Sequence, residues 1–174
     1  KVYIEGISKL TRIDVSYAEE LGYRIKHLGI ARRTKDGIEL RVHPTLIPQE
    51  RLIANVNGVK HAVLVQSDAV GSTLYYGSGA GAGPTGSAIV ADIVDIVRSL
   101  TVENRCAVPH LAFQPDSLAD TPILSVEAIK TAYYLRLQAN DKSGVLADVT
   151  RILSDNDISI EAILQKPLHE AGTV

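Results

Sequence analysis

Residues 73–97, TLYYGSGAGAGPTGSAIVADIVDIV, decide how the chain is to be understood. A short apolar run enters a loop with glycine at positions 77, 79, 81 and 83, and an amphipathic stretch leaves it. Gly81-Ala82-Gly83-Pro84-Thr85-Gly86 satisfies G-x-G-x-x-G literally. A dinucleotide fingerprint needs more: a first strand, the glycine turn, a helix, and a second parallel strand with an acid ~20 residues on. Strand, turn and helix are present, but TVENRCAVP runs straight into a proline-rich connector and Glu103 ends no apolar run. No Lys follows the glycines, which excludes a Walker-type phosphate loop. Close backbone packing is the plainer explanation, yet each Gly costs up to ~1 kcal/mol of chain entropy relative to Ala in regular structure. A bare backbone surface set against a ligand held from elsewhere accounts for the turn better than either.

Working outward, Ile89, Ile93, Ile96 and Leu100 fall at helical spacing, Val90, Val94 and Val97 widen the stripe, and Asp92, Asp95 and Ser99 lie opposite. This pattern predicts an amphipathic helix whose apolar face is buried. Upstream, Thr11 and Asp14 mark a helix start, with an acid where the dipole favours it, and Gly22 can close that helix after Leu21. Tyr23–Arg33 reads as a strand, Lys35-Asp36-Gly37 as a hairpin turn, and Ile38, Leu40 and Val42 alternate with Glu39, Arg41 and His43 in a half-buried second strand. Pro44 and Pro48 bracket its exit. Val59, Val63 and Val65 form one face of a further strand that includes His61, and Thr73–Tyr76 makes another. Residues 101–130, with Pro109, Pro115 and Pro122, lack periodicity and read as a connector. Then come strand YYLRLQA, turn NDKSG, helix VLADVTRILSDND and strand ISIEAILQK, half of a small α/β sandwich.

Composition narrows the function. With 174 residues, 45% hydrophobic, and a mean hydropathy of +0.08, the chain has material for a core. A net charge of -2 and a pI near 6.2 offer no basic field for nucleic acid or an anionic membrane. The densest positive cluster, Arg32, Arg33 and Lys35, suits a hairpin shoulder. No run approaches the ~20 apolar residues of a membrane span, and no signal peptide is evident. The single cysteine, Cys106, allows no internal disulfide and fits a reducing cytoplasm. The histidines at 27, 43, 110 and 169 show no ligand spacing, so no metal is expected. A chain without methionine that begins at Lys1, inside an apparent strand, is expected to be a piece of a longer protein.

The stretches IDVSYAEELGYRIKHLGIARR and RVHPTLIPQERLIANVNGVKHAV, followed by YYGSGAGAGPTGSAIVADIVDIV, resemble the later part of bacterial homoserine dehydrogenases over residues 1 to about 100. YYLRLQANDKSGVLADVTRILSDNDISIEAILQK resembles the opening of the ACT regulatory domain that many of them carry. The expected fold is α/β (α+β): a mixed sheet with helices on one face, plus a partial ferredoxin-like βαβ unit. Residues 1–105 are expected to be the C-terminal part of the catalytic and dimerisation domain, 106–130 a linker, and 131–174 a truncated ACT domain. The resemblance implies interconversion of homoserine and aspartate semialdehyde with NADP or NAD, on the path to threonine and methionine.

In that family the Rossmann domain and the D-A-A-x-K helix lie upstream of the matching region, so no catalytic residue is expected here. What carries over is the glycine turn, with Gly81, Gly79 and Ala80 approaching the cofactor from the opposite wall and Thr85 beginning a helix behind them. In the ACT-like half, Asp141, Gly144, Val145 and Leu146 are the candidates for an effector amino acid, with threonine expected, through amides at the helix start. A homodimer or homotetramer is implied. The family pattern N-A-V is His61-Ala62-Val63 here, and a core histidine is the plainer reading of His61 than a general base. Lys26 reads as a strand residue with a solvated head, and Tyr75 and Tyr76 as packing residues. The other class of function is an amino-acid-sensing or oligomerising module without catalysis.

Overall fold

A computed structural model describes residues 2–101, 112–140 and 142–166. Strand β1 (Tyr3–Ile4) precedes helix α1 (Arg12–Glu20), and then β2 (Tyr23–Arg33) and β3 (Ile38–Pro48) form a long hairpin. A 3-10 turn, Leu52–Asn55, leads to β4 (Lys60–Gln66), β5 (Ser72–Ser78) and helix α2 (Ala82–Thr101). Short 3-10 turns at Pro115–Ser117 and Val126–Ala128 precede helix α3 (Val145–Asp155).

The strands make two sheets. In the first, β3 is central, parallel to β1 and antiparallel to β2, which gives the expected mixed sheet. The β2–β3 ladder runs unbroken from Tyr23↔Pro48 to Arg33↔Ile38. In the second, β4 and β5 pair antiparallel by themselves, Lys60↔Ser78 to Gln66↔Ser72. Helix α1 packs on β2, and Ala18, Ile47 and Ala54 are buried, as is Ile129 from the connector.

Local chemistry explains α1. The Thr11 side chain accepts from the Asp14 amide while the Asp14 carboxylate accepts from the Thr11 amide, a reciprocal cap. Gly22, at φ 81, turns the chain into β2, and the Gln49 amide donates to the Gly22 carbonyl at 2.9 Å.

Three expectations change. The polar side of β3 is not solvated at Glu39, which is 3% exposed and is held by Arg32 at 2.6 Å and Arg41 at 3.0 Å. Pairing, rather than solvent, satisfies that carboxylate. Helix α2 forms where the periodicity placed it, but none of its residues is buried in this chain; Ile89, Ile93 and Ile96 are more than half exposed. Finally, α3 forms as expected, whereas residues 131–140 and 158–166 join no β-ladder. An extended segment becomes a strand only when a neighbour takes its backbone groups. Here both segments instead send side chains to α1, through Arg136 to Asp14 and Lys166 to Glu20.

The later part of the connector is seated on the sheet. Ile123 bridges Ile38 in parallel: the Ile38 amide donates to the Pro122 carbonyl and the Leu124 amide to the Ile38 carbonyl, each at 2.9 Å. Cys106 lies outside the described residues.

Candidate functional site

The glycine turn links β5 to α2 at the open end of the β4–β5 ribbon. Gly79, Ala80 and Gly81 are all exposed. The Gly79 amide donates to the Val59 carbonyl at 3.1 Å, tying the turn to the entry of β4. Gly81 has φ 112, a conformation that residues with a Cβ rarely adopt. The Thr85 amide donates to the Gly81 carbonyl at 3.1 Å, so α2 begins at Ala82 rather than at Thr85. Pro84 lies in its first turn, where the missing N–H has no intrahelical role.

At Gly79 it is space, rather than conformation, that a side chain would lack. A Cβ there would lie 2.1 Å from Nδ1 of His61, so the imidazole rests against the bare backbone. His61 is exposed and is no core residue. Together with Val63, Tyr75, Tyr76 and Ser78 these groups line an open depression of about 370 Å³. Tyr75 and Tyr76 are 63% and 56% exposed, so neither is packed within this chain. Lys60 donates to the Ser78 hydroxyl at 2.8 Å and stands 5.7 Å from the Tyr76 ring centre.

Antiparallel β4 is the only partner of β5 among the described residues. The turn is therefore not part of a described strand–helix–strand unit of the kind that grips a pyrophosphate. Backbone bareness and the start of α2 are what it offers a ligand: a surface that lets a flat group approach the main chain, beside a partial positive charge.

Lys26 is not the solvated side chain expected of it. Its ammonium donates to the Val56 carbonyl at 2.6 Å and to Asn57 Oδ1 at 2.8 Å, fastening β2 to the loop before β4. At the start of α3, Gly144 (φ 92) is the residue before the helix and makes no side-chain cap. The Val145 amide already leans on the Lys142 carbonyl at 3.4 Å, and Leu146 follows in the first turn. Asp141 lies outside the described residues.

A second cluster carries no local sequence signal beyond the cap. Asp14, 4% exposed, receives Arg136 Nε at 2.6 Å and the Tyr134 hydroxyl at 3.1 Å. Burial works against its ionisation, but hydrogen bonds from the Thr11 side chain and backbone, Tyr134 and Arg136 outweigh that and hold its carboxyl at about 2. Burial, followed by the bond to Asp14, pushes the Tyr134 phenol up to about 12. At the other end of α1, Lys166 pairs with Glu20, and its ammonium stands 5.4 Å from the Tyr17 ring centre. No helix among the described residues is long and apolar enough to cross a membrane.

Comparison with known proteins places these features. Residues 1–94 match the family model described as homoserine dehydrogenase, and residues 133–174 match that of the ACT domain. The homoserine dehydrogenase of Pseudomonas aeruginosa is 66% identical over 170 residues, which is 98% of this chain and 39% of that protein. That of Neisseria gonorrhoeae is 57% identical, with 98% and 39% covered. The crystal structure of a homoserine dehydrogenase from Thiobacillus denitrificans superposes with a TM-score of 0.85 at 69% identity, covering 95% of this chain and 38% of that one.

Fold and matches together define an α/β chain of an oxidoreductase family with an ACT-type segment at its C-terminal side. The chain belongs to the homoserine dehydrogenase family. It spans 39% of the length of the first curated relatives it matches.

Proposed function

We propose that the chain serves an NAD(P)-dependent homoserine dehydrogenase that interconverts L-homoserine and L-aspartate 4-semialdehyde in threonine and methionine biosynthesis in the cytoplasm. Residues 1–105 belong to its catalytic and dimerisation domain, 106–130 connect, and 131–174 belong to its ACT regulatory domain. The bound dinucleotide supplies hydride transfer. Gly79, Ala80 and Gly81 form the wall its nicotinamide end approaches, while the dinucleotide-gripping domain and the proton-transfer residues belong to polypeptide outside this chain. Threonine binds near Asp141, Gly144, Val145 and Leu146, and the enzyme works as a homo-oligomer.

The carrying observation is the turn itself, bare at Gly79 where His61 occupies the space of a Cβ and left-handed at Gly81. The Gly79 side of the turn carries the His61 imidazole, and the exposed main chain at Ala80 and Gly81 leaves room for a flat group to approach. In the full-length enzyme, Gly81→Val is expected to raise the KM for NADPH at least ~tenfold, about 1.4 kcal/mol of binding. Reduction of aspartate semialdehyde by the 174-residue chain alone would overturn the division of labour. Calorimetry with L-threonine on the full-length enzyme tests the effector assignment.

A further inference from the structure

The ACT-like segment meets the rest of the chain on a single helix. Arg136 and Tyr134, from the stretch before α3, reach Asp14 in the first turn of α1. Lys166, from the stretch after α3, reaches Glu20 and the Tyr17 ring in its last turns. Both anchors come from outside α3, one at each end of α1, so the helix is gripped along its length.

Asp14 has two duties in this arrangement. One oxygen, Oδ2, accepts from the Thr11 amide at 2.8 Å and from the Thr11 hydroxyl at 2.7 Å, closing the helix cap. The other, Oδ1, accepts from Arg136 and Tyr134. A carboxylate bound on both oxygens is fixed in orientation, so loss of the Oδ1 partners frees it to rotate away from the cap.

The same face of α1, one turn on, continues the contact. Ala18 is 1% exposed against the hairpin, and Gln49 donates to the Glu19 and Tyr23 carbonyls, binding the end of α1 to the start of β2. From β2, Lys26 ties down Val56 and Asn57, and the neighbouring Val59 carbonyl holds Gly79. An unbroken series of contacts thus leads from Arg136 to the glycine turn.

We propose that α1 is the element through which the C-terminal module acts on the rest of the chain, with Asp14 the positioning residue that couples docking of the module to capping of the helix. The coupling rests on these contacts alone and holds whatever the reaction or effector is.

Hydrogen exchange in the full-length protein tests it without any assay of activity. Arg136→Gln should speed exchange of the α1 amides about fivefold to tenfold, the ratio a lost cap produces, and leave the β2–β3 ladder unchanged. Arg136→Lys, which retains a cation, should restore most of the protection. Lys166→Gln should loosen the last turn of α1 and spare the first. Unchanged exchange in α1 after Arg136→Gln would overturn the proposal. So would an equal rise in α1 and the β2–β3 ladder, because that reports general stability rather than a coupled cap.

Discussion

Arg136 Nε lies 2.6 Å from Asp14 Oδ1, across a sequence separation of 122 residues. Burial opposes ionisation of Asp14, and the bonds from Thr11, Tyr134 and Arg136 together outweigh it, which sets a pH dependence. The Asp14 carboxyl sits at about 2 against an ordinary 3.8, so it stabilises the fold in full above the ordinary value. The contribution fades as pH falls from about 4 towards 2, because the unfolded chain takes up its proton first. Asp14→Ala is expected to cost about 1–2 kcal/mol at pH 7, from the lost cap and pairing. In urea titrations of the full-length protein, the gap between wild type and variant should shrink at pH 3.

Glu39 holds two guanidinium groups from a buried position, and Arg41, its neighbour along β3, is only 13% exposed at the side chain. Glu39→Ala leaves Arg41 buried without its counter-ion, for an expected loss of about 3 kcal/mol. Glu39→Gln, which keeps the shape and an acceptor, should cost about half of that. Thermal unfolding of both variants measures the difference.

Gly37 has φ 149, and a Cβ there would come within 2.4 Å of the Pro122 carbonyl oxygen. Neither the backbone nor the docked connector can yield cheaply, so Gly37→Ala should destabilise by about 2 kcal/mol or more. Gly6 has open space around it, and Gly6→Ala should stay within about 0.5 kcal/mol. Paired urea titrations compare the two positions directly.

At Gly79 the obstacle is the His61 imidazole, a side chain that can rotate away, rather than backbone. Gly79→Ala should therefore leave stability almost unchanged and push the His61 imidazole off the turn. On the proposed function, it raises the KM for NADPH about tenfold with kcat less affected. Adding His61→Ala clears the space and should recover part of that loss. Steady-state kinetics of the two single variants and the double variant give the coupling between them.

Sequence patterning located most elements because their signals are local. Gly22 and Gly37 place β2 to the residue and fix where β3 begins, although β3 stays paired through Pro44 as far as Pro48, and Thr11 with Asp14 places the start of α1. The start of α2 was displaced because Gly83 and Pro84 read as loop, although a first helical turn accepts both. What had no signature was pairing between distant residues. The buried state of Glu39 depends on Arg32 across the hairpin, and nothing near Asp14 in the sequence announces Tyr134 or Arg136. The strands expected around α3 failed for the same reason, since periodicity marks a segment as able to pair but supplies no neighbour. At the glycine turn the residues were legible, and the imidazole seated against Gly79 was not.

The β2–β3 ladder has eleven residues in each strand and no bulge. At about 3.4 Å per residue it acts as a ruler some 35 Å long, with the α1 junction at one end and the Pro122 anchor at the other. One residue inserted within β3 would turn Glu39 to the opposite face and strand its guanidinium partners. Two inserted residues would restore the facing but shift the far anchor by about 7 Å. A single inserted residue in this hairpin must therefore be absorbed as a bulge or flip part of the strand, and a pair of them moves the anchor.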